Sequence, residues 1–363
     1  VNICIQGIGV LGGFGCGVAD LESALARGSS SRTTVAMKTS DGSFDVPALT
    51  AHTDRLADFV DKNALRRVDH YIRMALLGSY LALEDAGMLD LKGRRMGVIV
   101  ATGYGSTCNM MDIQQALDND APVISPTRFS NSVHNAAATH ISILLDEMGP
   151  SLSVNDYDMS IPSAILSACR WLRDKRVKSV LVGGVDEYCR ALGYNRHCRH
   201  RPQGALKNNP GDLTPGHAVI GEGACFFVLT LREDATPYGF IKSAWLGGST
   251  RVRMDAAGDS VYFLGADASS EIEDLYAGCL PGEAKVAAYT HLYGAMPIAM
   301  GFDIAIAALS HKAEKIYASA RGVRRRSDYL KVVQTEEPLG NAGICCLKLG
   351  VGGTAGTVRL GRF

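Results

Sequence analysis

The sequence predicts an α/β fold in which a largely parallel sheet is covered by helices on both faces and the chain runs through one pattern twice. Three observations predict it: short apolar runs alternate with helical patterns, glycines punctuate the ends of those runs, and the alternation restarts after residue 231. Strands covered on both faces read as continuous apolar segments rather than alternating ones. Glycine at strand ends suits folds that gather close-packed backbone around a central site.

Taken in order, the apolar runs at 1–8, 97–101, 177–182 and 224–229 read as buried strands, and 69–86 and 161–173 as helices. The second pass reads as a strand at 239–244, a helix at 269–277, a strand at 284–290 and a helix at 303–318. Two short strands at 330–334 and 343–349 close the chain. This organisation divides into halves 1–230 and 231–363, with no low-complexity linker, so the halves are expected to pack tightly.

Composition narrows the function. The 363 residues are 47% hydrophobic and 20% charged with a formal net charge of +0, enough chain for two core-bearing units and no charge excess for nucleic acid. No apolar stretch reaches the roughly 18 residues of a membrane span, and no basic-then-apolar leader opens the chain. The ten cysteines are scattered, several within apolar runs (Cys169, Cys225, Cys345, Cys346), which suits core thiols in a cytoplasmic protein. No metal or cofactor motif stands out; Arg196, His197, Cys198, Arg199, His200 and Arg201 place cations where a metal would sit, without zinc spacing.

The most telling segment is Val154-Asn155-Asp156-Tyr157-Asp158-Met159-Ser160, a sharp bend between a strand and a buried helix. A helix N-terminus favours negative charge and activates a thiol placed there. Asp158 occupies the turn instead: an ionised carboxylate, a poor acyl acceptor, and by its position a candidate N-cap.

Several segments are similar to β-ketoacyl-acyl-carrier-protein synthases. Residues 3–10 (Ile-Cys-Ile-Gln-Gly-Ile-Gly-Val) resemble their opening strand, and Arg66-Arg67-Val68-Asp69-His70 with Ala82-Leu83-Glu84-Asp85-Ala86-Gly87 their first long helix. Val98 to Gly105, Ser125-Pro126, Asn131, Gly149-Pro150, Val182 to Glu187 and Gly221-Glu222-Gly223-Ala224 continue the likeness in order. The resemblance implies the thiolase fold, a five-layer αβαβα body of two similar halves assembled as a dimer.

The resemblance also implies a Cys nucleophile, two His and a Lys in condensing members. The Cys position falls on Asp158; His291, after Ala288-Tyr289-Thr290, stands for the first His. No Lys-Ser-x-x-Gly-His stretch follows; the one later His, His311, lies in a helical pattern, and the last glycine-rich loop is expected near 338–343. Asp158 and His291 are therefore vestigial, and no catalytic residue is expected.

Within the family such subunits are chain-length factors, each paired with an active ketosynthase, and Phe129-Ser130-Asn131-Ser132-Val133-His134-Asn135-Ala136-Ala137 resembles their segment before the vestigial nucleophile. The expected role is to complete the partner's acyl tunnel and set how far a polyketide, polyene or fatty acyl chain grows on acyl carrier protein. Tyr104, Thr107, Met110, Met111, Gln114 and Phe129 match tunnel or interface positions, with ordinary core packing as the alternative for each. His134 reads as a buried structural His, and the cationic residues Arg196, Arg199, Arg201 or the run Arg321 to Arg326 as aids to docking an acidic carrier, the run otherwise being a solvated loop. Two other readings stand beside this one: a thioester decarboxylase or hydrolase using Asp158 or His291, and an acyl-binding scaffold without a partner.

Overall fold

The computed structural model describes residues 2–39, 42–89, 95–118, 125–200, 219–232, 236, 238–255, 261–266, 276–282, 284–320 and 330–362. The first half runs β1 (Asn2–Gly12), β2 (Gly15–Cys16), α1 (Val18–Arg27), the hairpin β3 (Thr33–Thr39) and β4 (Gly42–Leu49), then α2 (His70–Asp85) and β5 (Gly97–Thr102). It continues through α3 (Thr107–Asp118), α4 (Pro126–Asn131), α5 (Ala136–Leu144), β6 (Ser151–Asn155), α6 (Ser160–Arg173), β7 (Ser179–Asp186), α7 (Arg190–His200), β8 (Ile220–Gly221) and β9 (Gly223–Arg232). The second half has β10 (Phe240–Gly248), β11 (Val261–Leu264), β12 (Ala284–Ala287), α8 (Ala299–Ala313), β13 (Lys315–Ile316), β14 (Leu330–Val332), β15 (Glu337–Pro338), β16 (Ile344–Gly350) and β17 (Thr354–Gly361).

Duplication is visible in the strand order. The main sheet runs β14-β12-β11-β16-β17-β10-β1-β9-β7-β5-β6. Leaving aside the edge strand β14, each half repeats one order: β6-β5-β7-β9-β1 in the first and β12-β11-β16-β17-β10 in the second. The directions repeat too. β5 is parallel to β6 and β7, as β11 is to β12 and β16. β9 is antiparallel to β7 and β1, as β17 is to β16 and β10. The halves meet where β1 and β10 pair antiparallel at Ile3–Ile241 and Cys4–Phe240.

Alternation of side chains builds the layers. On β5, Ile99 and Ala101 face a central core while Val98 and Val100 face an outer one with α2 and α5. The central core joins both halves: Ile161, Ala164, Ile165, Ala168, Cys169 and Leu172 of α6 meet Phe302, Ile304, Ala305 and Ala308 of α8. The α6 positions follow helical spacing for one buried stripe, and α8 is buried along nearly its whole length. A third core, with Val252, Tyr262, Tyr276 and Leu347, covers the outer face of the second half. Two outer layers, the two halves of the main sheet and a shared helical layer make the five layers of the thiolase fold.

Close approach requires small residues at the centre. A side chain at Gly301 on α8 would collide with the Cys225 sulfur of β9, and one at Gly103 with Pro297. α2 begins at Asp69, whose carboxylate accepts the Ile72 N–H at 2.9 Å.

Four expectations need correction. The sheet is mixed rather than largely parallel, because apolar runs report coverage of both faces and not direction. The helix expected at 303–318 is Ala299–Ala313; it ends at Glu314, a left-handed C-cap that a glycine would have signalled, and Lys315–Ile316 is a strand paired to β15. The strand expected at 284–290 stops at Ala287, and Thr290–Tyr293 forms a helical turn. β11, β17 and the β3–β4 hairpin were not anticipated. Most of the helix expected at 269–277 lies outside the described residues, as do Arg201 and Arg321 to Arg326.

Candidate functional site

β6 ends at Asn155, and a single 3-10 turn, Tyr157–Met159, leads into α6. Two bonds through Ser160 fix this bend: its hydroxyl accepts the Asp156 N–H at 2.8 Å and donates to the Thr102 carbonyl at 2.9 Å. Tyr157 has φ 47°, a left-handed conformation that costs an L-residue roughly 1–2 kcal/mol. Its ring lies edge-on to Tyr104, centroids 5.8 Å apart.

Asp158 follows, and the Lys348 ammonium lies 3.4 Å from its carboxylate; the two side chains are 16% and 7% exposed. Lys348 is on β16, where Ile344 and Cys346 face the central core and alternation brings Lys348 to the same face. Its ammonium also donates to the Gly265 carbonyl at 3.0 Å, at the end of β11. Asp303, fully buried on α8, accepts the Tyr293 hydroxyl at 2.6 Å. Burial pushes the Asp303 carboxyl up to about 7, against the opposing pull of the Tyr293 hydroxyl and the Lys348 charge.

The corresponding strands β7 and β16 each reach across to the other half. Lys348, from the second half, meets the turn before α6. Asp186, at the end of β7, accepts the Ile298 N–H just before α8 at 3.3 Å. The other Asp186 oxygen takes the Thr102 hydroxyl at 2.8 Å and the Gly103 and Tyr104 N–H groups at 3.0 and 2.9 Å. Burial raises the Asp186 carboxyl to about 6, with these donors opposing. Both turns are thereby tied across the junction of the halves.

Residues 2–235 match the family described as β-ketoacyl synthase, N-terminal domain. The chain belongs to the β-ketoacyl synthase family. Among relatives of this ketosynthase-family chain, 3-oxoacyl-[acyl-carrier-protein] synthase 2 of Coxiella burnetii is 26% identical over 249 residues, 64% of this chain and 59% of that protein. The corresponding enzyme of Rhizobium meliloti is 27% identical over 259 residues, 66% and 61% of the two chains. The matched span is thus about three-fifths of the length of these relatives. Among solved structures, the ishigamide ketosynthase/chain length factor superposes with TM-score 0.79 at 16% identity, covering 100% of this chain and 99% of that one. A β-ketoacyl synthase from Burkholderia phymatum gives 0.76 at 18%, covering 100% and 99%.

The ketosynthase frame distributes the expected residues unevenly. Tyr104 adjoins the Asp158 turn, and Thr107 donates its hydroxyl to the Tyr104 carbonyl. Met110, Met111 and Gln114 lie on the open side of α3, which has no buried residue, and Gln114 bonds Asp118. Phe129 on α4 is 66% exposed; an Arg128–Asp112 pair at 3.6 Å ties α4 to α3. His291, half-buried, sits on the Thr290–Tyr293 helical turn that follows β12. His311 is buried toward the far end of α8, eight residues from Asp303.

Three readings change. α6 has Met159 at its N-cap position without a side-chain cap, and Asp158 serves as counter-charge to Lys348. The glycine-rich turn beside Asp158 is Gly350–Gly353 rather than 338–343: a side chain at Gly350 would meet the Asp158 Cβ at 3.4 Å. His134 is half-buried, not buried, and packs over Gly105, whose φ is +60°. Sequence reasoning missed Lys348, although one Lys within Ile-Cys-Cys-Leu-Lys-Leu, an apolar strand, signals a buried charge with a partner. Among the described residues no metal-binding cluster occurs, and no helix is long and apolar enough to cross a membrane. The side chains of Arg196 and Arg199 lie outside the described part.

Proposed function

We propose that this chain is the non-catalytic, chain-length-factor-type subunit of a heterodimeric β-ketoacyl-acyl-carrier-protein synthase, acting on a polyketide, polyene or fatty acyl chain. The Asp158–Lys348 pair carries the reading. Condensation needs an activated nucleophile to hold the acyl chain and donors to stabilise the enolate. Here the turn presents a carboxylate neutralised by a buried cation, and the central-core thiols Cys225 and Cys346 are held protonated by burial.

The surface supports a partner. Among the described residues β6 is an edge strand of the main sheet, and such an edge is a template for pairing with another chain. Met110, Met111, Phe129 and Val133 add apolar area on α3, α4 and the turn after them. A second subunit seated there would meet the face next to Tyr104 and the Asp158 turn. Methionines suit the wall of a tunnel for an extended apolar chain.

Co-expression with a ketosynthase from the same gene neighbourhood tests the assignment. A 1:1 complex whose products differ in length from those of the ketosynthase alone is the expected outcome. A homodimer or monomer that leaves those products unchanged would overturn it in favour of a partnerless scaffold.

A further inference from the structure

A polar cluster lies beside the first turn of α3. Glu222, between β8 and β9, is 4% exposed and draws three segments of the chain to its carboxylate. Oε1 accepts the Ala51 N–H at 3.0 Å and lies 3.0 Å from Nε2 of His70, while Oε2 accepts the Tyr188 N–H at 2.9 Å. Two of these segments also hold α3. Asp69, next to His70, accepts the side-chain amide of Asn109, and the Tyr188 carbonyl accepts the Cys108 thiol at 3.4 Å. The His70 side chain is 36% exposed, so its ring exchanges protons with solvent while its partner stays buried.

We propose that His70 and Glu222 form a protonation-controlled clasp on α3: the charged imidazolium seats the first turn of the helix, and neutral His70 loosens it. Histidine is the side chain whose charge changes near neutral pH. The neutral ring can keep an Nε2–H on Glu222, so deprotonation removes the charge and leaves the weaker bond of a neutral donor. Because α3 carries Met110 and Met111 on its open side, the clasp governs how firmly that apolar surface is held.

Opposing charges decide the state of the ring. Burial favours neutral His70, as does its place at the start of α2. The bond to Glu222 and its charge, with the charges of Glu187 at the β7 end and Asp69 on α2, outweigh burial and hold the His70 pKa above its usual value. The contribution of the charged ring is therefore complete below about pH 6.5 and is lost as pH rises through the raised value. Around it also lie the Cys108 thiol of α3, bonded to the Tyr188 carbonyl, Tyr188, pushed up to about 12 by burial, and His140 of α5, lowered by burial. Glu187 is pushed by burial up to about 7 and titrates beside His70, so a test must remove it.

The clasp belongs to this chain and stands whether or not a partner binds. Hydrogen exchange of the α3 amides, corrected for the intrinsic pH dependence of exchange, is followed from about pH 6 to about pH 8.5 in the full-length Glu187→Gln chain, with the His70 imidazole titrated by NMR in the same samples. The expected result is a fall in α3 protection whose midpoint coincides with a His70 pKa above about 6.5. Adding His70→Gln should hold protection at its high-pH level throughout. Protection that stays constant while His70 titrates, or that falls in the same way with His70→Gln, would overturn the clasp. Should His70→Gln fail to fold, the two midpoints in the chain that retains His70 still decide: coincidence supports the clasp and separation refutes it.

Discussion

Lys348 brings its ammonium within 3.4 Å of Asp158 from the opposite half of the molecule. Asp186 returns the connection, accepting the Ile298 N–H at the second-half turn. The contact is a largely buried ion pair between the two repeats. Tyr157, in the left-handed region, shapes the bend that presents Asp158 to this contact.

Removing Asp158 alone leaves Lys348 as a buried charge without this partner. Asp158→Ala is expected to destabilise the fold by roughly 2–4 kcal/mol, read from urea unfolding. Lys348→Met in the Asp158→Ala background should recover most of that loss. Equal, additive losses in a double-mutant cycle would show the pair to be uncoupled.

His311 gives the fold an acid sensitivity away from the site. Burial depresses its pKa to about 4, with the Leu360 backbone opposing and the Arg362 charge lowering it further. Unfolded His binds a proton near pH 6.5, so its contribution is present above that value and is lost as pH falls through about 4. Asp303 and Asp186, raised by burial, contribute with the opposite slope over a similar range, so comparison with a variant isolates His311. His311→Gln should gain about 2 kcal/mol relative to the parent between pH 7 and pH 4.5; a difference independent of pH would refute the assignment.

The close contact between the β5 end and the second-half turn leaves no room for a methyl group. Gly103→Ala would drive its Cβ into Pro297 and is expected to cost about 1–3 kcal/mol by overpacking. Thermal unfolding at or above the parent's midpoint would show that the two turns separate freely.

Met111→Trp and Met110→Trp test the tunnel wall in the complex with an active ketosynthase. Each adds bulk on the open side of α3 and should shorten the acyl products by one or more extensions. Product lengths unchanged in both would remove these residues from the wall.

Legibility in the sequence followed the physics of each feature. β5, β7, β9, α2 and α6 stand out because a segment buried on both faces, or along one stripe, must be apolar at every such position. β11 escapes notice, since four residues, Val-Tyr-Phe-Leu, are as compatible with a helix as with a strand. The Asp158 turn is legible because a bend joins an apolar strand to an apolar helix. Its partner Lys348 is 190 residues away, and their pairing depends on the antiparallel junction of two repeats, which no local pattern encodes.

Release of CO2 from malonyl-acyl-carrier protein by the purified chain alone tests the central claim most directly. With Asp158 held as counter-charge to Lys348, release should stay at the no-protein background for the parent and for Asp158→Asn alike. Release well above background in the parent that Asp158→Asn abolishes would contradict the account and make the turn a working decarboxylase site.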